Sequence, residues 1–242
     1  MALNIQTFKT RALTALLFVA VMLTGLLWNF WSFLILFTVI HFGCWFEFVK
    51  LMKKIYAEKY LGYCLFGLIY ITMPILMLID FYYNAIYFLN TSWDCFSVLK
   101  KPYTYSSTLP LFSITPALII FSIWINDTMA YLVGSFVGKT PLTKISPKKT
   151  WEGTIGGIII TVVVAAIVSM IYMHQLYWFW IFVAGISATF GTLGDLLESK
   201  IKRMADVKDS GSFMPGHGGF LDRFDSLLVA VPFVWLYVKL FI

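Results

Sequence analysis

Charged residues are scarce in this chain. Asp, Glu, Lys and Arg make up 12% of its 242 residues, against about 25% in a soluble globular domain. So few charges cannot cover a water-facing surface, which excludes a cytosolic enzyme or a nucleic-acid-binding module. Cysteine is scarce too. Cys44, Cys64 and Cys95 stand far apart and form no CxxC or Cys/His pattern, so neither a disulfide framework nor a zinc site is expected. Packed, reduced thiols are the simple reading. The chain also lacks an internal repeat and a low-complexity linker, and it reads as one continuous domain.

Apolar side chains are abundant instead. They make up 60% of the chain, and aromatics alone 19%. Apolar stretches fall near residues 12–28, 30–49, 61–79, 109–125, 153–173, 176–194 and 224–242, each close to the roughly 20 residues a spanning helix needs. Backbone groups in lipid must be satisfied internally, so these segments are expected to be helices. The expected fold is therefore all-α and polytopic, with about seven to nine transmembrane helices. The spread comes from residues 80–109, which could hold an interfacial or spanning piece. Lys9 and Arg11 precede the first apolar run, and the second follows almost at once. That pattern predicts a retained helical hairpin turning near Trp28 and Asn29, not a cleaved signal. Residues 1–108 are expected to form N-terminal transmembrane helices and 109–242 the catalytic membrane region.

With seven spans and the N-terminus inside, 15 of the 18 Lys and Arg residues fall on the inner side, as the positive-inside rule requires. The outside ones are Lys100, Lys101 and Lys239. The loops at 139–152 and 198–225 then share the cytoplasmic face, which is where a site is expected.

The 199–226 stretch is the most polar of the chain, S-K-I-K-R-M-A-D-V-K-D-S-G-S-F-M-P-G-H-G-G-F-L-D-R-F-D-S. Asp222 and Asp225 are three apart where loop becomes helix, a spacing that puts both carboxylates on one face. Two adjacent carboxylates repel unless a cation lies between them, and oxygen donors suit Mg²⁺. The preceding P-G-H-G-G has the composition of a tight loop that lets backbone approach a phosphate. Asp195 and Ser199, four apart, share a face at the end of an apolar segment. Asp127, after Asn126, is a further acid near membrane depth; its alternative reading is an interhelical hydrogen bond. Glu198 is expected to pair with a neighbouring lysine, and Glu47 could face the same cavity. The run S-P-K-K-T-W-E-G at 146–153 opens a helix with two lysines, a Ser and a Thr. It reads as a phosphate site or as a topology signal.

These motifs, in this order, resemble the signature of the CDP-diacylglycerol synthases, also called phosphatidate cytidylyltransferases. The matching residues are N-D-T-x-A-Y-x-x-G at 126–134, S-P-K-K-T-W-E-G at 146–153, G-D-L-x-E-S at 194–199, S-K-I-K-R at 199–203, K-D at 208–209, P-G-H-G-G at 215–219 and D-R-F-D at 222–225. Met214 stands where the family usually has Leu, Ile or Phe. The likeness covers the C-terminal half; the N-terminal half matches only as apolar helices.

The resemblance implies the reaction CTP + phosphatidate → CDP-diacylglycerol + pyrophosphate, carried out by a homodimer in a bacterial-type inner membrane with its site facing the cytoplasm. It implies Mg²⁺ on Asp195, Asp222 and Asp225, with a second cation such as K⁺ beside it. Lys208 and His217 are the further catalytic candidates. Substrate contacts are expected from Asn126, Asp127, Ser146, Lys148, Lys149, Thr150, Glu152, Ser199, Arg203, Asp209, Gly218, Gly219 and Arg223. The competing reading is a CTP-dependent polyprenol or dolichol kinase-like enzyme, which transfers the γ-phosphate. A transporter would need acids along a midplane path between repeats, and the chain has no visible repeat.

Overall fold

The computed structural model describes residues 5–89, 109–174, 177–213 and 218–241. Seven long helices organise them: α1 (Ile5–Leu27), α2 (Phe30–Tyr56), α3 (Met73–Leu89), α4 (Leu109–Val137), α5 (Trp151–Met173), α6 (Trp178–Met204) and α7 (Leu221–Phe241). A short helix, Tyr60–Cys64, and a π-turn, Leu68–Thr72, lead from α2 into α3. The fold is all-α. Five helical stretches are long and apolar enough to cross a membrane, and two shorter apolar helices, Ala12–Leu27 and Leu68–Tyr82, accompany them. The chain is a polytopic membrane protein.

The turn between α1 and α2 falls where the sequence predicts it. Asn29 caps α2 with a reciprocal box: its side chain accepts from Ser32 N at 2.8 Å, and Ser32 Oγ accepts from Asn29 N at 3.1 Å. Such a cap contributes about 0.5–2 kcal/mol to a helix start. Outward-facing large side chains such as Phe46, Leu61, Phe136 and Ile159 are exposed, as expected of helices solvated by lipid. The inward faces form one apolar core that joins both halves of the chain. Phe33, Phe37 and Leu78 from the first half meet Ile119, Leu228 and Val231 from the second.

Several helix boundaries differ from the sequence expectation. α4 does not end near residue 125 but continues through N-D-T-M-A-Y-L-V-G to Val137, because a helix is tolerant of polar side chains that find partners. α6 likewise runs past Gly194 to Met204. The stretch 199–226 is thus part helix and part loop: only 205–220 connect α6 to α7. α3 extends to Leu89, and the remainder of the 80–109 region lies mostly outside the described residues.

Small residues decide where the helices approach closely. A Cβ on Gly194 of α6 would stand 2.5 Å from the Asp225 carbonyl oxygen and 3.0 Å from Ser226 Cα of α7. On α5, Gly153 and Gly156 leave no room for a Cβ against Ala130, Gly134 and Val133 of α4. Close backbone approach through small residues is the usual basis of helix association in lipid. Here it also sets the spacing of the polar side chains that follow.

Candidate active site

A cavity of about 670 Å³ opens among α4, α5, α6 and α7. The Gly194 contact brings the start of α7 against α6 and so sets Asp195 beside Asp225. One carboxylate oxygen from each of Asp195, Glu198 and Asp225 lies within 4.8 Å of the others. Asp195 and Glu198 sit three apart on α6, a spacing that shares a helix face. Glu198 is fully buried and Asp225 nearly so.

Lysines neutralise part of this cluster. Lys149 donates to Asp195 Oδ2, and Lys202 bridges Glu198 Oε2 and Asp222 Oδ1, the latter at 2.6 Å. Asp222 is further engaged through Oδ2 by Ser210 N at 2.9 Å, Ser210 Oγ at 2.9 Å and Gly219 N at 2.8 Å. Its carboxylate therefore braces the loop before α7 and anchors Lys202, while Asp225, one turn on, faces Asp195 and Glu198. Ser199 Oγ meets Asp195 Oδ1 at 3.3 Å, as their four-residue spacing predicts.

The basic loop closes the cavity from the α4–α5 side. Leu142 N to Lys149 O at 2.7 Å and Trp151 N to Thr140 O at 3.0 Å fold it into a small hairpin. Thr150 caps α5 by accepting from Gly153 N at 3.1 Å. Glu152 accepts from Thr140 Oγ1 at 2.8 Å and from the backbone N of Lys139 and Thr140. The hairpin so held directs Ser146, Lys148, Lys149 and Thr150 onto the cavity wall.

Most of the sequence-selected residues converge here. Asn126, Asp127, Ser146, Lys148, Lys149, Thr150, Asp195, Asp209, Asp222, Arg223 and Asp225 all line the cavity. Asn126 is also an interhelical tie: its Nδ2 donates to Thr192 Oγ1 at 3.2 Å, while its buried Oδ1 has no partner among the described residues. Glu152, Ser199, Arg203, Lys208, Gly218 and Gly219 stand outside the lining. Glu152 braces the hairpin, Arg203 donates to Val207 O at 3.2 Å at the end of α6, and Lys208 is exposed. Gly218 has φ +82 and a Cβ there would meet Asp222 Oδ2 at 2.6 Å, so glycine is required by both conformation and space. His217 lies outside the described residues.

Two side chains matter more than the sequence reading allowed. Glu198 pairs with Lys202 as expected, but it is also the third member of the carboxylate cluster. Lys202, given no role of its own by the sequence, is the largely buried link between that cluster and Asp222. Their i,i+4 spacing was the available signal. Glu47 does not line this cavity; it lies behind the 205–220 loop, against Gly211 and Gly219.

The donor set fits a hard divalent cation. All three clustered groups are carboxylates, the ligand type of Mg²⁺. Apart from the Lys202 ammonium on Oε2, no hydrogen-bond donor among the described residues reaches the Glu198 carboxylate. A buried carboxylate so placed is costly without a counter-charge.

Known proteins resemble about half of the chain. A protein of Bacillus subtilis (strain 168) named phosphatidate cytidylyltransferase is 47% identical over 121 residues, 49% of this chain and 45% of that protein. One of the same name from Staphylococcus epidermidis is 46% identical over 112 residues, 46% of this chain and 43% of its own. A chloroplastic one from Arabidopsis thaliana, phosphatidate cytidylyltransferase 4, is 46% identical over 115 residues, 47% of this chain and 29% of its own length. The aligned stretch thus spans less than half of each of these relatives. The family model described as the cytidylyltransferase family matches residues 112–241. That is more than half of the chain and takes in every residue named above as lining the cavity, from α4 to α7. By its sequence and by the residues it gathers there, this chain belongs to the cytidylyltransferase family.

Proposed function

We propose that the chain transfers the cytidylyl group of CTP to phosphatidate, giving CDP-diacylglycerol and pyrophosphate, at the cytoplasmic face of a membrane. One observation carries the reading. The carboxylates of Asp195 and Asp225, from two membrane helices, meet the cations of the 146–150 loop in a single cavity of nucleotide size, and the buried Glu198 completes their cluster. Family membership and the names of the relatives support the choice of CTP and phosphatidate.

In this reaction a phosphate oxygen of phosphatidate attacks the α-phosphorus of CTP. The bond from that phosphorus to the bridging oxygen breaks, and pyrophosphate departs with the electron pair. The attacking oxygen is anionic near neutral pH, so no strong general base is needed. Catalysis is then positioning and charge neutralisation. Lys148, Lys149 and Arg223 line the wall where phosphates would lie. Asp195, Glu198 and Asp225 would hold Mg²⁺, and Asp222 would act on the same site through Lys202. Bound there, Mg²⁺ would stabilise charge on the leaving pyrophosphate. Phe18, Trp124 and Tyr131 add apolar surface to the same cavity, suited to the glycerol end of a lipid whose acyl chains stay in hydrocarbon.

Purified protein in detergent, given CTP, phosphatidate and Mg²⁺, should form CDP-diacylglycerol detectable by chromatography of the lipid fraction. EDTA should stop the reaction and added Mg²⁺ restore it. Equal turnover in EDTA would remove the metal from the proposal, and no product under any condition would remove the activity.

A further inference from the structure

α7 begins without a cap of its own. The Phe220 carbonyl accepts the first helical bond, from Phe224 N at 3.2 Å, so Phe220 occupies the capping position. That position favours Ser, Thr, Asp or Asn, and a phenyl ring can accept nothing from the exposed N–H groups of the first turn. The missing acceptor comes from α2. Glu47 Oε1 accepts from Phe220 N and Oε2 from Leu221 N, both at 2.9 Å. Ser210 Oγ adds a third bond to Oε2 at 2.7 Å. The sequence separations reach 174 residues, yet Glu47 is 4% exposed.

The surroundings are shaped for this contact. Gly43, one turn before Glu47, leaves space for the Phe220 ring: a Cβ there would come within 2.6 Å of it. Gly211 and Gly219 leave space for the carboxylate itself, and a Cβ on either would overlap its oxygens. Negative charge at a helix N-terminus is also favoured by the helix dipole. Ser210 continues the chain of contacts, since its hydroxyl lies 2.7 Å from Glu47 Oε2 and 2.9 Å from Asp222 Oδ2.

We infer that Glu47 is a positioning residue for the active site. It caps α7 from a different helix, and through Leu221 and Ser210 it holds Asp222 and Asp225 in register with α6. Glu47 lies outside the matched 112–241 region, so this gives the N-terminal half a specific part in the chemistry. The inference rests on the cytidylyl-transfer reading for its effect on turnover, and on hydrogen bonding alone for its effect on the loop.

Glu47→Gln tests it with little change of volume, and Gly211→Ala tests it from the loop side. Both variants are to be compared with the intact protein in detergent, by amide hydrogen exchange and by steady-state kinetics. Exchange at residues 209–222 should rise about tenfold or more in each variant, with the other helices unchanged. The kcat should fall roughly 10–100-fold with KM for CTP altered less than about threefold, the pattern of a misplaced catalytic group. Lys50→Ala serves as control and should match the parent. Unchanged exchange at 209–222 in both variants would overturn the inference. So would faster exchange throughout the protein, which marks a general stabilising role, or local loosening without loss of kcat in an active parent. Were the parent itself inactive, the transfer reading would fail, and the exchange comparison would still decide whether Glu47 holds the loop.

Discussion

The two halves of this protein solve different problems with similar-looking helices. The first, through α3, carries few charged side chains and contributes large apolar ones to the core, such as Phe33, Phe37 and Phe81. The second, from α4 on, interrupts its apolar helices with acids and packs them through glycines at 153, 156 and 194. Bulk fills space in the first half; absence of bulk brings backbones together in the second. The difference teaches where chemistry can be built in lipid. Carboxylates from two helices can share a site only if the helices touch, and Gly194 lets α6 and α7 touch beside Asp195 and Asp225. Glu47 crosses this division, an acid of the first half whose bonds reach the start of α7.

The strongest way to sharpen this contrast is to remove a clustered carboxylate. Asp225→Asn should lower turnover by roughly 10²–10³-fold or more, with size-exclusion profile and thermal midpoint retained. Near-parent activity would show that the acids of the second half are structural. Asp222→Ala should act more through the fold. It leaves Lys202 with one partner and unpairs Gly219 N, and breaking one side of a buried ion pair costs about 3–5 kcal/mol. A thermal midpoint equal to the parent's would contradict that brace. Gly194→Ala should be milder, costing about 1–3 kcal/mol by overpacking, and should reduce activity as α7 moves off α6. A matching substitution at Gly62, where a Cβ would meet nothing within 4 Å, should leave both stability and turnover near parent values. The smallest effect is expected for Lys50→Ala, an exposed cation outside the cavity lining; a large loss of activity would break the division of labour.

Much of the site was legible before the fold was known because its residues are out of place in an apolar chain. Asp195, Asp222, Asp225 and Lys149 stand in or beside spanning segments, where a charge is expensive and calls for a reason. The four-residue spacing of Asp195 and Ser199 and the hairpin turn at Asn29 followed from helix geometry alone. What could not be read was which partner each polar group would choose. Glu198 and Lys202 look like a surface pair in one dimension, and only the docking of α7 buries them. The glycines of 218–219 read as a phosphate-binding turn. Their immediate neighbours are the Asp222 and Glu47 carboxylates, and the second of these lies more than 170 residues away. Helix ends were the other uncertain feature, since α4 and α6 carry polar residues for several turns without breaking.

The most direct measurement follows two labels in one reaction. Purified protein is given phosphatidate, Mg²⁺ and CTP labelled either at the α- or at the γ-phosphorus. Cytidylyl transfer sends the α-label into lipid and the γ-label into pyrophosphate. Recovery of the γ-label in lipid, with CDP left in solution, would contradict the account and make the chain a lipid kinase.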